Sequence, residues 1–215
     1  MTKNEAIKVV EILKSTYPNA KCSLDFESPF EMLVAVMLSA QCTDARVNLT
    51  TPALFKKYDT PEKMMNIKLE ELEKIIHPCG FYKSKAKNII AASKLIVEKY
   101  NGQVPEDENE LVKIPGIGRK SANVIMLEAF GNPCGIAIDT HAKRISNKLG
   151  LSDEQDPIKI EQDLMEIFPK KYFCDINHLF IEHGRNCCIA RKPNCIKCPI
   201  KKYCREYSSK HSTII

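Results

Sequence analysis

Residues 28–40, SPFEMLVAVMLSA, constrain the fold of this 215-residue chain more than any other stretch. Ser28 with Glu31 three positions on is a capping-box pattern, and Pro29 takes the first helical position, where its missing N–H costs nothing. Phe30–Ala40 is then apolar on nearly all faces, so the helix it predicts has no side to offer water. It has to lie in the middle of the fold.

Helix punctuation recurs along the rest of the chain. Thr2-Lys3-Asn4-Glu5 is another capping box, followed by Ala6, Val9, Val10, Leu13 and Tyr17 at helical spacing. Further starts are predicted at Thr43, Thr60-Pro61, Ser84, Asp107, Gly118, Thr140 and Asp156-Pro157, with stops at Gly80, Gly102, Gly131 and Gly150. No segment alternates with period two over a strand's length, so the predicted class is all-α. The chain is long enough to bury a substantial core, as one unit or two small interlocked ones. No linker, repeat or low-complexity tract separates such units, so any division has to come from how the helices pack. A last helix, Tyr172–Gly184, leads into a cysteine-rich region that looks too small to fold without a metal.

Met1 to Glu5 runs straight into a polar amphipathic helix without a targeting pattern, and the longest apolar run, Met32 to Leu38, is far short of the ~20 residues a membrane span needs. The expected setting is the cytoplasm, where reducing conditions disfavour structural disulfides. Five of the ten cysteines fall within Asn186 to Cys204, and that setting turns them toward metal binding. Four thiolates suit zinc or iron–sulfur alike. The remaining Cys22, Cys42, Cys79, Cys134 and Cys174 are scattered as small core or surface residues. Net charge is +5, and its distribution says more than its size. His183 to Arg205 carries Arg185, Arg191, Lys192, Lys197, Lys201, Lys202 and Arg205 with no Asp or Glu, a pattern that meets phosphates.

Glu110 to Ala122, ELVKIPGIGRKSA, predicts a short helix, a tight turn permitted by Gly116 and Gly118, and a second helix. Such a helix start presents a positive dipole end to a phosphate and positions nucleic acid without reading bases. Lys120 lies in the first turn of the second helix. An amine there costs more to charge, which favours the free base that attacks an aldehydic sugar carbon to form a Schiff base. Such chemistry needs a carboxylate partner, and Asp139, between an apolar segment and the next helix, offers one. An Asp-Thr pair is also an ordinary helix start.

Taken together, LSAQCTD (Leu38–Asp44), GFYKSKAKNI (Gly80–Ile89), IPGIGRKSANV (Ile114–Val124), IDTH (Ile138–His141) and HGRNCCIARKPNC (His183–Cys195) resemble the endonuclease III family of helix–hairpin–helix DNA glycosylases over nearly the whole chain. The resemblance implies a bifunctional base excision repair enzyme. It would excise oxidised or damaged pyrimidines as an N-glycosylase, then nick the abasic site as a lyase by β-elimination. Residue by residue it implies Lys120 as the Schiff-base lysine and Asp139 as the catalytic aspartate. Gln41 would enter the duplex near the extruded nucleotide. Phe81 stands where the family usually has Leu, on the loop that fills the vacated space. Gly116 and Gly118 would hold phosphate, and His141, Arg191 and Lys192 would lie near DNA. The spacing Cys188-x6-Cys195-x2-Cys198-x5-Cys204 matches that family's ligands for one [4Fe–4S] cluster, which leaves Cys187 as the cysteine outside the set.

The implied architecture has two lobes. One is a six-helix barrel-like domain over residues 22–133 with the helix–hairpin–helix at about 108–130. The other is a discontinuous helical domain, 1–21 plus 134–215, ending in the iron–sulfur cluster loop 188–204. The implied partner is double-stranded DNA with damaged pyrimidines or abasic sites, and the expected state is a monomer, nucleoid-associated when bound to DNA. A mismatch-adenine glycosylase is disfavoured because Leu33–Leu38 carries no Glu, and a thymine-mismatch glycosylase because Lys120 is not Tyr. A pyrimidine-dimer glycosylase would keep the same catalytic pair and stays open, and a non-catalytic damaged-DNA-binding module is the alternative of another class.

Overall fold

The computed structural model describes residues 1–211. In chain order the helices are α1 (Lys3–Thr16), α2 (Pro29–Ser39), α3 (Asp44–Phe55), α4 (Pro61–Met64), α5 (Leu69–Ile76), α6 (Tyr82–Tyr100), α7 (Glu108–Leu111), α8 (Arg119–Phe130), α9 (Thr140–Leu149), α10 (Pro157–Ile167), α11 (Phe173–Asn186) and α12 (Arg205–His211). Turns of 3₁₀ helix stand at His77–Cys79, Lys170–Tyr172 and Lys201–Tyr203, and no strand occurs among the described residues, so the fold is all-α. The chain divides into two compact units, one of residues 23–134 and one of residues 1–22 with 135–215.

In the 23–134 unit, α2 is central, with every residue from Phe30 to Leu38 buried and α3, α6 and α8 packed around it. The N-terminal cap is only half the expected box. Ser28 Oγ accepts from the Glu31 N–H, but Glu31 Oε2 accepts from the Glu27 N–H at 2.7 Å rather than from Ser28. Pro29 sets the chain direction at this entry, and the buried carboxylate takes the amide one residue further back. α6 begins at Tyr82, earlier than Ser84, because Phe81 adopts a left-handed conformation and starts the helix itself. Ser84 Oγ then donates to the Phe81 carbonyl at 2.9 Å.

In the other unit, α1 lays Ala6, Val9, Val10 and Leu13 against a core shared with Ile145, Leu149, Ile160, Leu164, Ile176 and Phe180. The Thr2–Glu5 capping box is complete. α9 packs against α10, α11 and α12. α11 runs to Asn186 instead of ending at Gly184, and it is not the last helix. α12 follows the cysteine region and is held by contacts remote in sequence. Lys148 Nζ lies 3.0 Å from Glu206 Oε2, Arg205 Nη2 lies 2.6 Å from Asp153 Oδ1, and Arg205 donates to the Asn147 carbonyl at 3.1 Å. A seven-residue helix of that kind has no local start signal to find.

Candidate functional site

The hairpin is built by anchoring its apolar residues and one of its glycines, and leaving the other open. Ile114 and Ile117 are buried at 1% and 5% exposure, and the Ile117 N–H closes the turn onto the Ile114 carbonyl at 3.0 Å. Gly116 has φ +85°, and a Cβ there would stand 2.9 Å from Met37 Cε and 3.2 Å from Asn88 Cβ. Only glycine fits, for conformational and steric reasons alike. At Gly118, by contrast, a Cβ would meet nothing within 4 Å. Gly118 is the N-cap of α8 and no side chain caps that helix, so its first turn is open to an outside partner. Lys120 is exposed in this turn.

Three ion pairs tie α7 to its neighbours, one of them to α8. Arg119 Nη1 lies 2.8 Å from Glu108 Oε1 across the hairpin. Glu110 accepts from Lys113 Nζ at 2.6 Å, Lys99 Nζ at 2.7 Å and Tyr100 Oη at 2.7 Å. These donors, Lys113 first, hold its carboxyl down at about 2.

Gln41, Phe81 and Gly116, distant in sequence, line one cavity of this unit. Gln41 and Phe81 are exposed and both are left-handed, at φ 54° and φ 46°. Phe81 is 65% exposed. Bulky residues in that region cost on the order of 1–3 kcal/mol each and persist only where surroundings over-determine them. Here the surroundings include Lys85, a residue that sequence reasoning passed over. Its Nζ donates to the Leu38 carbonyl at 2.8 Å and the Cys79 carbonyl at 2.9 Å. One signal was available: Lys85 falls on the helical stripe of Ile89, Ala92, Ser93 and Ile96, the buried side of α6.

Asp139 and His141 belong to the start of α9 in the other unit. Asp139 Oδ1 accepts from the Ala142 N–H at 2.7 Å, so the carboxylate caps the helix. His141 Nδ1 lies 3.2 Å from Arg144 Nη2, and burial depresses its imidazole, with the nearby Asp139 opposing.

The cysteine region forms one lined cavity. Cys188, Cys195, Cys198 and Cys204 line it, and so does Cys187, which the spacing sets apart. None of the ten cysteines, all of them among the described residues, is joined in a disulfide. Backbone turns shape the loop: the Cys187 and Cys188 N–H groups both donate to the His183 carbonyl, and the Asn194 N–H donates to the Cys187 carbonyl. Arg144 ties the loop to α9 by donating to the Cys188 carbonyl at 2.9 Å. His183, buried at 1% exposure, places Nε2 at 3.6 Å from Cys198 Sγ, and Tyr17 Oη lies 3.1 Å from its Nδ1. Donor atoms of His183, Cys187 and Cys198 fall within 4.8 Å of one another. Burial pushes the Cys198 thiol up to about 12, raises Cys187 and Cys188, and lowers His183 to about 4. Thiols so reluctant to ionise lose their protons to a bound metal, and a half-buried set of cysteine sulfurs suits a soft metal centre. Arg191 and Lys192 are exposed on the same loop.

A sequence model of the family described as "HhH-GPD superfamily base excision DNA repair protein" matches residues 34–170. The chain is 46% identical to the endonuclease III of Synechocystis sp. over 202 residues, 94% of this chain and 92% of that one. It is similar to the solved structure of a non-covalent endonuclease III–DNA complex, with TM-score 0.92, 42% identity, and coverage of 99% of this chain and 100% of that one. It is also similar to a trapped endonuclease III–DNA covalent intermediate, with TM-score 0.91, 43% identity, and coverage of 98% and 99%.

Proposed function

The chain belongs to the HhH-GPD superfamily of base excision DNA repair proteins, within its endonuclease III family, and from that membership we propose a bifunctional DNA glycosylase and abasic-site lyase acting on damaged pyrimidines in double-stranded DNA. One observation carries the reading onto this chain's own residues. The exposed Lys120 stands in an uncapped first turn beside a glycine whose missing side chain no internal crowding demands. That is a phosphate-holding surface with a nucleophile beside it.

The damaged nucleotide has to leave the stack before its sugar can be attacked. Gln41 and Phe81 take the vacated space and offset the cost of unstacking. Lys120 Nζ attacks C1′ as its lone pair forms the C–N bond and the C1′–base bond breaks, with the departing base carrying the electron pair. Asp139 stabilises the cationic sugar and takes a proton from the attacking amine. The nitrogen lone pair then breaks the C1′–O4′ bond, the ring oxygen takes the proton held by Asp139, and a protonated imine is left. The imine acidifies the 2′ proton, whose removal expels the 3′ phosphate and nicks the strand. Lys120 returns when water hydrolyses the imine.

Cys188, Cys195, Cys198 and Cys204 would hold one [4Fe–4S] cluster, which supplies covalent fixation of the loop at four points. Arg191 and Lys192 then reach phosphates as a rigid pair, and affinity falls steeply with salt. The chain works as a monomer on this reading.

Borohydride trapping on a thymine-glycol duplex tests the proposal. Wild type gives a covalent complex and Lys120→Ala gives none. Trapping that survives Lys120→Ala overturns the Schiff-base assignment, and binding without base release or nicking by wild type overturns the enzyme reading in favour of a binding module. A lesion panel with base release and nicking scored separately ranks oxidised pyrimidines against pyrimidine dimers.

A further inference from the structure

Lys85 is 7% exposed, and its ammonium makes its hydrogen bonds to backbone carbonyls. Burying an ammonium is costly unless strong acceptors replace water, so a lysine kept here has a task beyond filling space. Its acceptors are informative. Leu38 lies in the last turn of α2, at the negative end of that helix, and Cys79 ends the 3₁₀ turn before Gly80. Gln41 follows Leu38 by three residues, and Phe81 follows Cys79 by two. Both are the left-handed, exposed residues of this unit assigned above to the duplex. Lys85 also sits one turn before Asn88, whose side chain abuts Gly116 so closely that a Cβ on the glycine would crowd it. One face of α6 therefore touches the roots of three DNA-facing loops. Burial draws the Lys85 ammonium below its usual range, while the nearby Cys42 and Cys79 thiols act the other way.

We propose that Lys85 is a positioning residue which clasps the Gln41 and Phe81 loops to one helix, so that both side chains enter a damaged duplex as a single preformed wedge. The proposal rests on the reading of Gln41 and Phe81 as inserting residues. The physical gain is that ordering is completed when the protein folds. Two independent loops would each lose entropy at the moment of insertion, when the cost of unstacking is also due. A clasp of this kind favours duplexes that open easily, and leaves binding to intact duplex, which rests on phosphate contacts, largely unchanged.

The test uses the full chain and two duplexes of the same sequence, one intact and one with a tetrahydrofuran abasic-site analogue opposite 2-aminopurine. For Lys85→Met, affinity for the analogue duplex is expected to fall on the order of tenfold, the loss of hydrogen bonds from a charged donor, while intact-duplex affinity changes by less than about threefold. The rise in 2-aminopurine fluorescence on binding, which reports wedge insertion, should shrink in parallel. Phe81→Ala should cost much less in the Lys85→Met background than in wild type, the non-additivity of residues that act as one unit. A purely structural lysine would instead lower the unfolding temperature, weaken both duplexes alike and combine additively with Phe81→Ala, and that result overturns the clasp. If Lys85→Met does not fold, Lys85→Gln keeps an uncharged donor and is expected to show the same selective loss at smaller size, an unchanged affinity ratio overturning the proposal. Wild type that binds both duplexes equally would overturn the wedge reading and the clasp with it, whereas wild-type discrimination that survives Lys85→Met overturns the clasp alone.

Discussion

Arg144 Nη2 donates to the Cys188 carbonyl at 2.9 Å and to the Gly184 carbonyl at 3.3 Å, fastening α9 to the entrance of the cysteine loop. Gly184 has to be glycine for this to happen, since a Cβ there would run into His141 Nδ1 and Arg144 Nη2. Gly184→Ala should displace both side chains and destabilise the fold by about 1–3 kcal/mol, the usual cost of overpacking. Arg144→Met should keep α9 packed but free the loop, so iron per chain falls after dialysis against a chelator while helical circular dichroism is retained. Iron retention equal to wild type would show that the arginine does not anchor the loop.

Cys187 and Cys188 are neighbours with different prospects. Both line the cavity, and Cys187 Sγ also donates to the Asn194 carbonyl at 3.5 Å, but only Cys188 falls in the matching spacing. Cys187→Ser is expected to retain full iron and acid-labile sulfide, and Cys188→Ser to lose both. The reverse pattern would exchange their roles, and stoichiometric zinc without sulfide would replace the iron–sulfur assignment.

The two hairpin glycines separate folding from binding. Gly116→Ala meets Met37 and Asn88 at a positive φ, so it should lower the unfolding temperature, with a cost on the order of 1–3 kcal/mol. Gly118→Ala meets nothing within 4 Å and should cost only the N-cap preference of glycine over alanine, on the order of 0.5–1 kcal/mol. If DNA backbone approaches at Gly118, the added methyl weakens duplex affinity all the same. Equal affinity for Gly118→Ala and wild type would remove the close approach.

Glu110 makes the hairpin unit sensitive to acid. Its folded carboxyl is held down at about 2 against an ordinary 4.5, chiefly by Lys113 and Lys99. Its contribution is fully present above the unfolded value and is lost as pH falls from about 4.5 through 2. Denaturant unfolding followed across that window should show wild type losing its advantage over Glu110→Gln as the pH drops. The group is about a third exposed, so solvent screens it, and the advantage is small and shrinks in high salt. A difference independent of pH would mean that the carboxylate's charge is not what matters.

The helices and their class were legible in the chain because each depends on residues a few positions apart. A cap at Thr2 or Thr43 bonds to an amide three residues on, and α2 declares its burial in one continuous apolar run. Lys120 and the spacing from Cys188 to Cys204 are equally local. What the chain alone left open is held by groups far apart in it. Tyr17 meets His183 across 166 positions, Lys85 reaches the Leu38 carbonyl across 47, and Arg144 reaches Cys188 across 44. No periodicity or propensity encodes such pairs. They arise only when buried donors and acceptors, denied water, are brought within reach of one another by packing. Residues with the chemistry for a site could be proposed from the chain, whereas the groups packed around them were decided by the tertiary structure.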